Sequence, residues 1–236
     1  MKNRMKKTIL SLCILCNIGL QADDNLNIKS AEVEYLKSLD LLVFSQTVAG
    51  MAGQTVPEKN GQMNGAQVLG YVFPTTLKST DVGFNKTEGI VALALTSHPD
   101  FDDTPLWDED NDKNYANDGV VWHPHWVILV KDTKVAGGLK VKQFKKANKD
   151  VLLPPTNPGM PMYMDSPGFS IVTKGNTIKA LVPANRVNNN IDFKFDGVSA
   201  LMKVNTTGEM PLLGVYKVYS VFEGKLDINN NIKIID

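Results

Sequence analysis

Cysteine is confined to the extreme N-terminus, at Cys13 and Cys16. That region reads as a secretory signal over residues 1–22. Lys2, Arg4, Lys6 and Lys7 make a positive start, residues 8–20 are apolar, and Leu20-Gln21-Ala22 offers cleavage before Asp23. Cleavage leaves a chain without a thiol, which excludes disulfides, thiolate metal sites and cysteine nucleophiles. A lipoprotein signal does not fit, because Leu12 and Leu15 precede the cysteines where small residues are expected; an uncleaved N-terminal anchor is the alternative to cleavage. Arginine is almost as scarce, with Arg186 the only one after the signal. Phosphate and nucleic-acid recognition normally draws on several guanidinium forks, so that partner class is excluded. No later run approaches the roughly 20 apolar residues of a spanning helix, so the mature chain is expected to carry no transmembrane segment. No stretch holds a 3.6-residue apolar period over three turns, which leaves helices short or absent. Nucleophile elbows, phosphate-cradling loops and dinucleotide fingerprints are missing too, and a catalytic role has little to stand on.

The charge that is present is balanced only in the precursor, with 25 Lys plus Arg against 25 Asp plus Glu. Four positive charges leave with the signal and no acid does, so the mature chain carries 21 minus 25, or −4. The expected location is outside the cytoplasm, in the periplasm. From residue 31 onward, short runs of Val, Ile, Leu, Phe and Tyr alternate with Gly, Pro, Asn and Asp, the pattern of strands and turns. Twelve runs qualify: 31–37, 41–49, 67–73, 90–96, 120–130, 139–144, 169–173, 177–182, 191–195, 200–205, 213–222 and 231–235. Gly175-Asn176 has the composition of a two-residue hairpin turn. With no helical crossovers, the expected fold is all-β: an antiparallel β-sandwich, or a partly closed barrel, of ten to twelve short strands in a single domain over residues 23–236.

All three histidines (His98, His123, His125) and all three tryptophans (Trp107, Trp122, Trp126) fall between residues 97 and 126, with eight carboxylates among them. Asp108, Asp110, Asp112 and Asn114 recur at alternate positions and Asp118 follows. Oxygen ligands so spaced can wrap calcium at about 2.3–2.6 Å. The stretch resembles the opening D-x-D-x-D-x-N of calcium loops such as the EF-hand's. It departs from that pattern at Lys113, where the turn wants glycine, and at Gly119, where the bidentate glutamate would stand, so the resemblance implies calcium but not an EF-hand. A solvated acidic loop is the alternative.

The histidines point to a transition metal. His123 and His125 are two apart on an expected strand, so their rings share one face and Trp122 and Trp126 take the other. With His98 from a neighbouring strand end they would make a three-histidine site. His123-Pro124-His125-Trp126 is similar to the His-x-His-Trp of α-type carbonic anhydrases over four residues. That family's third histidine lies downstream, where this chain has none, so its activity is not carried over. Pro124 lacks a ladder donor and predicts an edge strand or a bulge. Met160, Met162 and Met164 alternate in a proline-rich segment. Thioethers with imidazoles suit copper in an oxidising compartment. The alternatives are a gap-filling methionine loop and a hydrogen-bonded histidine pair.

The expected function is therefore a secreted divalent-metal-binding protein, with calcium in the acidic loop and copper or zinc at the histidines. Two rivals stand beside it. One is a calcium-stabilised carbohydrate- or surface-binding module with Trp107, Trp122, Trp126, Tyr163 or Tyr219 as platforms. The other is a metal-dependent enzyme at the histidine cluster. The seven lysines of residues 131–150 read as a solvated face.

Overall fold

Strands that are apolar over most of their length need cover on both faces, and three here are buried almost throughout. The computed structural model describes residues 23–58, 63–99 and 121–236; the expected signal over residues 1–22 and the acidic segment both lie outside the described residues. In chain order the strands are β1 (Ile28–Leu36), β2 (Leu41–Val48), β3 (Gln67–Thr75), β4 (Ile90–Ser97), β5 (His123–Lys131), β6 (Leu139–Val141) and β7 (Met164–Asp165). They continue with β8 (Ser170–Lys174), β9 (Thr177–Pro183), β10 (Lys194–Phe195), β11 (Val198–Val204), β12 (Leu213–Val221), β13 (Asn230–Asn231) and β14 (Lys233–Ile235). The only helices among the described residues are four short 3-10 turns. The all-β expectation holds.

Six strands close on themselves. The order β11-β12-β6-β5-β4-β3 is completed by antiparallel pairing of β3 with β11, from Val72↔Val198 to Gln67↔Lys203. The result is a six-stranded closed barrel, with β7 attached to β5 and with β10 and β13 extending from β3. A second sheet, ordered β14-β1-β2-β9-β8, lies over one wall of the barrel. The architecture thus joins the two forms expected from sequence.

This arrangement explains the residue patterns. β3, β4 and β5 form the shared wall. Their odd positions in β3 and β4 and even ones in β5 (Leu69, Tyr71, Phe73, Leu93, Leu95, Trp126, Ile128) pack against Val33, Leu42, Phe44, Ile178 and Ala180 of the second sheet. Phe44 sits at the centre of that layer, edge-on to Phe73 with ring centroids 5.3 Å apart and to Trp126 at 6.3 Å. The opposite positions (Val68, Val72, Ala92, Ala94, Val127, Leu129) fill the barrel with Val198, Ala200, Met202, Leu213 and Val215. β9 has solvent on one side and so alternates, with Ile178, Ala180 and Val182 buried between more exposed neighbours.

All twelve expected runs contain a strand, with two differences. The last run divides into β13 and β14, and β7 adds a strand of two residues that no periodicity could reveal. Gly175 takes a positive φ of 59° between β8 and β9, while Asn176 stays at negative φ. That is the primed turn with glycine at its first central position, so only one of the two residues uses its left-handed freedom.

The expectation for Pro124 needs correction. β5 is not an edge strand: it lies between β4 and β6, and its register with β4 runs through Leu95↔Pro124 without a bulge. Ile128 donates its N–H to Tyr163 on the side away from β4. By the two-residue period Pro124 turns its nitrogen to that same side, where β7 pairs only with Trp126 and Val127. The missing donor therefore falls on a flank that no described strand pairs at this position and breaks no bond to β4.

Candidate metal centre

The inward-facing row of β4 ends in Thr96, and His98 follows one step beyond the strand. On β5 the inward row begins His123, His125, Val127. Antiparallel pairing sets Thr96 against His123 and Ala94 against His125, which brings His98 diagonally beside His123. All three rings are buried, none more than 4% exposed. One ligand nitrogen from each lies within 4.8 Å of the others. The ring centroids are 4.5 Å apart for His98–His123, 4.9 Å for His123–His125 and 5.8 Å for His98–His125. The predicted three-histidine convergence is met. Trp122 and Trp126 lie on the other side of the wall, in the core with the second sheet.

The second nitrogen of each ring is held by the chain. His98 Nδ1 lies 2.8 Å from the carbonyl of Pro99, and His123 Nδ1 lies 2.7 Å from that of Val121. His125 Nδ1 faces the Ser166 hydroxyl at 3.0 Å and the Asp165 carbonyl at 3.3 Å. Carbonyl oxygens only accept, so His98 and His123 donate from Nδ1–H. A neutral imidazole has a single N–H, so both Nε2 atoms then present lone pairs. Yet the two Nε2 atoms are 2.8 Å apart. Lone pairs that close can share a cation, and a metal ion is one that imidazole nitrogens bind. Burial pushes the pKa of His98 down to about 4, against a smaller opposing effect of its bond to Pro99. Burial likewise holds His125 well below the usual histidine range, with His123 and His98 adding to it. Metal ions that prefer imidazole sit about 2.0–2.1 Å from each nitrogen, which sets neighbouring nitrogens about 3.3 Å apart in tetrahedral geometry. The closest pair, at 2.8 Å, lies below that spacing and the limit of 4.8 Å for the set lies above it, so loading would open the His98–His123 pair and draw the wider ones in.

Backbone carbonyls fixing the non-ligating nitrogens are the outer-shell arrangement that orients histidine ligands. Two of these carbonyls belong to Pro99 and Val121, the described residues on either side of the acidic segment. Asp108, Asp110, Asp112, Asn114 and Asp118 lie between them and outside the described residues, as does Trp107. Sequence reasoning missed the orienting groups Asp165 and Ser166: the first acts through a backbone carbonyl, which carries no side-chain signature, and the second through a hydroxyl brought to His125 only by the pairing of β7 with β5. It also dismissed a Ser97–His98 nucleophile and base. Strand alternation turns these neighbours to opposite faces, and His98 lines the barrel interior.

His98 and His125 line an apolar chamber. A cavity of about 160 Å³ runs inside the barrel, walled by aliphatic side chains, with His98, His125 and Thr96 its main polar neighbours. Met160, Met162 and Met164 also line it. Of the aromatic platforms expected from sequence, Trp122, Trp126 and Tyr163 are buried in the core and Tyr219 is half-buried. Trp122 is held by donation from its indole to the Gly53 carbonyl at 2.8 Å. The lysines of residues 131–150 lie on the solvated side as expected, Lys140 pairing with Asp132 at 2.7 Å.

Fold and site together define an all-β barrel, backed by a second sheet, with a buried histidine triad able to hold a metal ion. Compared with protein-family models, with curated proteins and with solved structures, the chain matches none.

Proposed function

We propose that this chain is a secreted protein that binds a transition metal, copper or zinc, through Nε2 of His98, His123 and His125. The observation that supports it best is the 2.8 Å approach of two Nε2 atoms whose rings both spend their N–H on backbone carbonyls. Buried imidazoles whose other nitrogens are already held by the chain lose little orientational freedom when they bind such an ion. Secretion rests on the basic and apolar character of residues 1–22. Mass spectrometry of the exported chain is expected to start at Asp23, and an intact N-terminus would count against it.

The metal test is stoichiometric. Chelator-treated mature protein is expected to take up one Zn(II) or Cu(I) per chain, with a rise in melting temperature. His123→Ala and His125→Ala are each expected to lower affinity by about a hundredfold or more, since removing one of three ligands costs more than the 10–100-fold of an outer-shell change. Uptake that is unaffected by both substitutions, or no uptake at all, sinks the proposal. The calcium reading for Asp108–Asp118 is separate and rests on the spacing of its acids; an enzymatic role is the second use the same triad would allow.

A further inference from the structure

Four of the seven methionines among the described residues, Met160, Met162, Met164 and Met202, line the same chamber as His98 and His125. The order of the first three is set by the backbone. Met162 donates its N–H to Met160 at 2.7 Å, and Met164 donates to Met162 at 3.0 Å, so the segment advances in repeated tight turns. Between them Tyr163 is stitched across the gap separating β5 from the chain after β6. It donates to the carbonyl of Lys142 at 2.8 Å and accepts from Ile128 at 3.2 Å. The alternation sends Tyr163 into the core shared with the second sheet and the three methionines into the barrel. An ordinary gap-filling methionine would not need three consecutive placements on one side.

Met164 is the one placed for the metal. β7 pairs with β5 through Val127↔Met164 and Trp126↔Asp165. Continued one step, that register sets Ser166 opposite His125, in keeping with the 3.0 Å contact between Ser166 Oγ and His125 Nδ1. Met164 is then the diagonal neighbour of His125 on the same face. Such neighbours have Cα atoms about 7–8 Å apart, within reach of a long side chain. Met164 is 3% exposed, belongs to the buried cluster inside the barrel and lines the chamber with His98 and His125.

Resting on the metal reading above, we propose that the resident ion is monovalent copper and that the Met164 thioether completes its coordination. The chemistry of the donor set favours this choice. Three imidazoles and a thioether are neutral donors and the described walls of the chamber are aliphatic, a setting that a monovalent ion bears better than a divalent one. Thioether sulfur is a soft ligand that selects Cu(I) over Zn(II), and the described residues hold no thiol to compete for it.

The test uses the mature chain and Met164→Leu, a volume-conserving change that the core tolerates. Competition against a Cu(I)-specific chromophoric chelator, under anaerobic conditions, is expected to show Cu(I) binding weakened by about tenfold or more, with Zn(II) affinity unchanged. X-ray absorption of the Cu(I) form is expected to show a sulfur scatterer in wild type that is lost in the variant. Unchanged Cu(I) affinity, or equal losses for both metals, overturns the thioether ligand. Wild-type protein that binds Zn(II) but not Cu(I) overturns the choice of metal while keeping the triad. Failure to bind either removes the triad itself.

Discussion

Histidine buried neutral has a cost that appears only in acid. The ordinary pKa is 6.5, and burial lowers that of His98 to about 4 in the folded chain. Between those values the unfolded chain takes up a proton that the folded chain refuses. Stability of the metal-free protein is therefore fully present above pH 6.5, falls as the pH drops toward 4, and levels off below. With a shift of this size the loss is on the order of a few kcal/mol for His98. Urea denaturation of metal-free protein between pH 7 and pH 4 is expected to show it, with a flatter profile for His98→Phe. A wild-type midpoint that does not move across that range would mean the ring is not buried in neutral form. The identity of these three residues was legible in the sequence, since no other histidines exist to choose from. Their tautomers were not, because Pro99 and Val121 act through backbone oxygen, which every residue possesses.

Elements respond to what covers them. The run Ile90–Ser97 is apolar almost throughout because one face meets the barrel interior and the other meets the second sheet. That reading of a doubly covered strand is available from sequence, but which strand provides the cover is not. The β8–β9 hairpin shows a more local rule. Gly175 has φ 59° and open space around the position of a side chain, so any penalty at this site comes from the backbone alone. Gly175→Ala is expected to destabilise by about 1 kcal/mol, whereas Asn176→Ala changes stability by a few tenths. Equal denaturation midpoints for the two variants would contradict the primed turn. β7 marks the limit of local reasoning. Two residues, Met164 and Asp165, have no period to detect, and they become a strand because β5 offers a flank beside Pro124 that no other described strand pairs.

At the scale of the whole molecule the closed barrel turns separate segments into one site. His98 and His123 stand 25 positions apart in the chain, and their nitrogens are 2.8 Å apart. The acidic segment between them starts and ends at the carbonyls that hold these two rings. Any ligand that binds only the folded state raises its stability by mass action. If the alternating acids of Asp108–Asp118 hold calcium, millimolar Ca²⁺ is expected to raise the melting temperature of chelator-treated protein by several degrees. A ligand at about a hundred times its dissociation constant contributes about 2.7 kcal/mol. No shift at that concentration would remove calcium from the account.

Local chemistry sufficed for the class of the fold, for the longer strands and for the hairpin at Gly175. These depend on side-chain period and on conformational freedom at single residues. The closure of β3 onto β11, the short strand that carries Met164, and the meeting of three imidazoles with a methionine-lined chamber were decided only in three dimensions. Each depends on pairing between segments far apart in the chain, and the energy of such pairing comes from the surface both partners bury together rather than from either one alone.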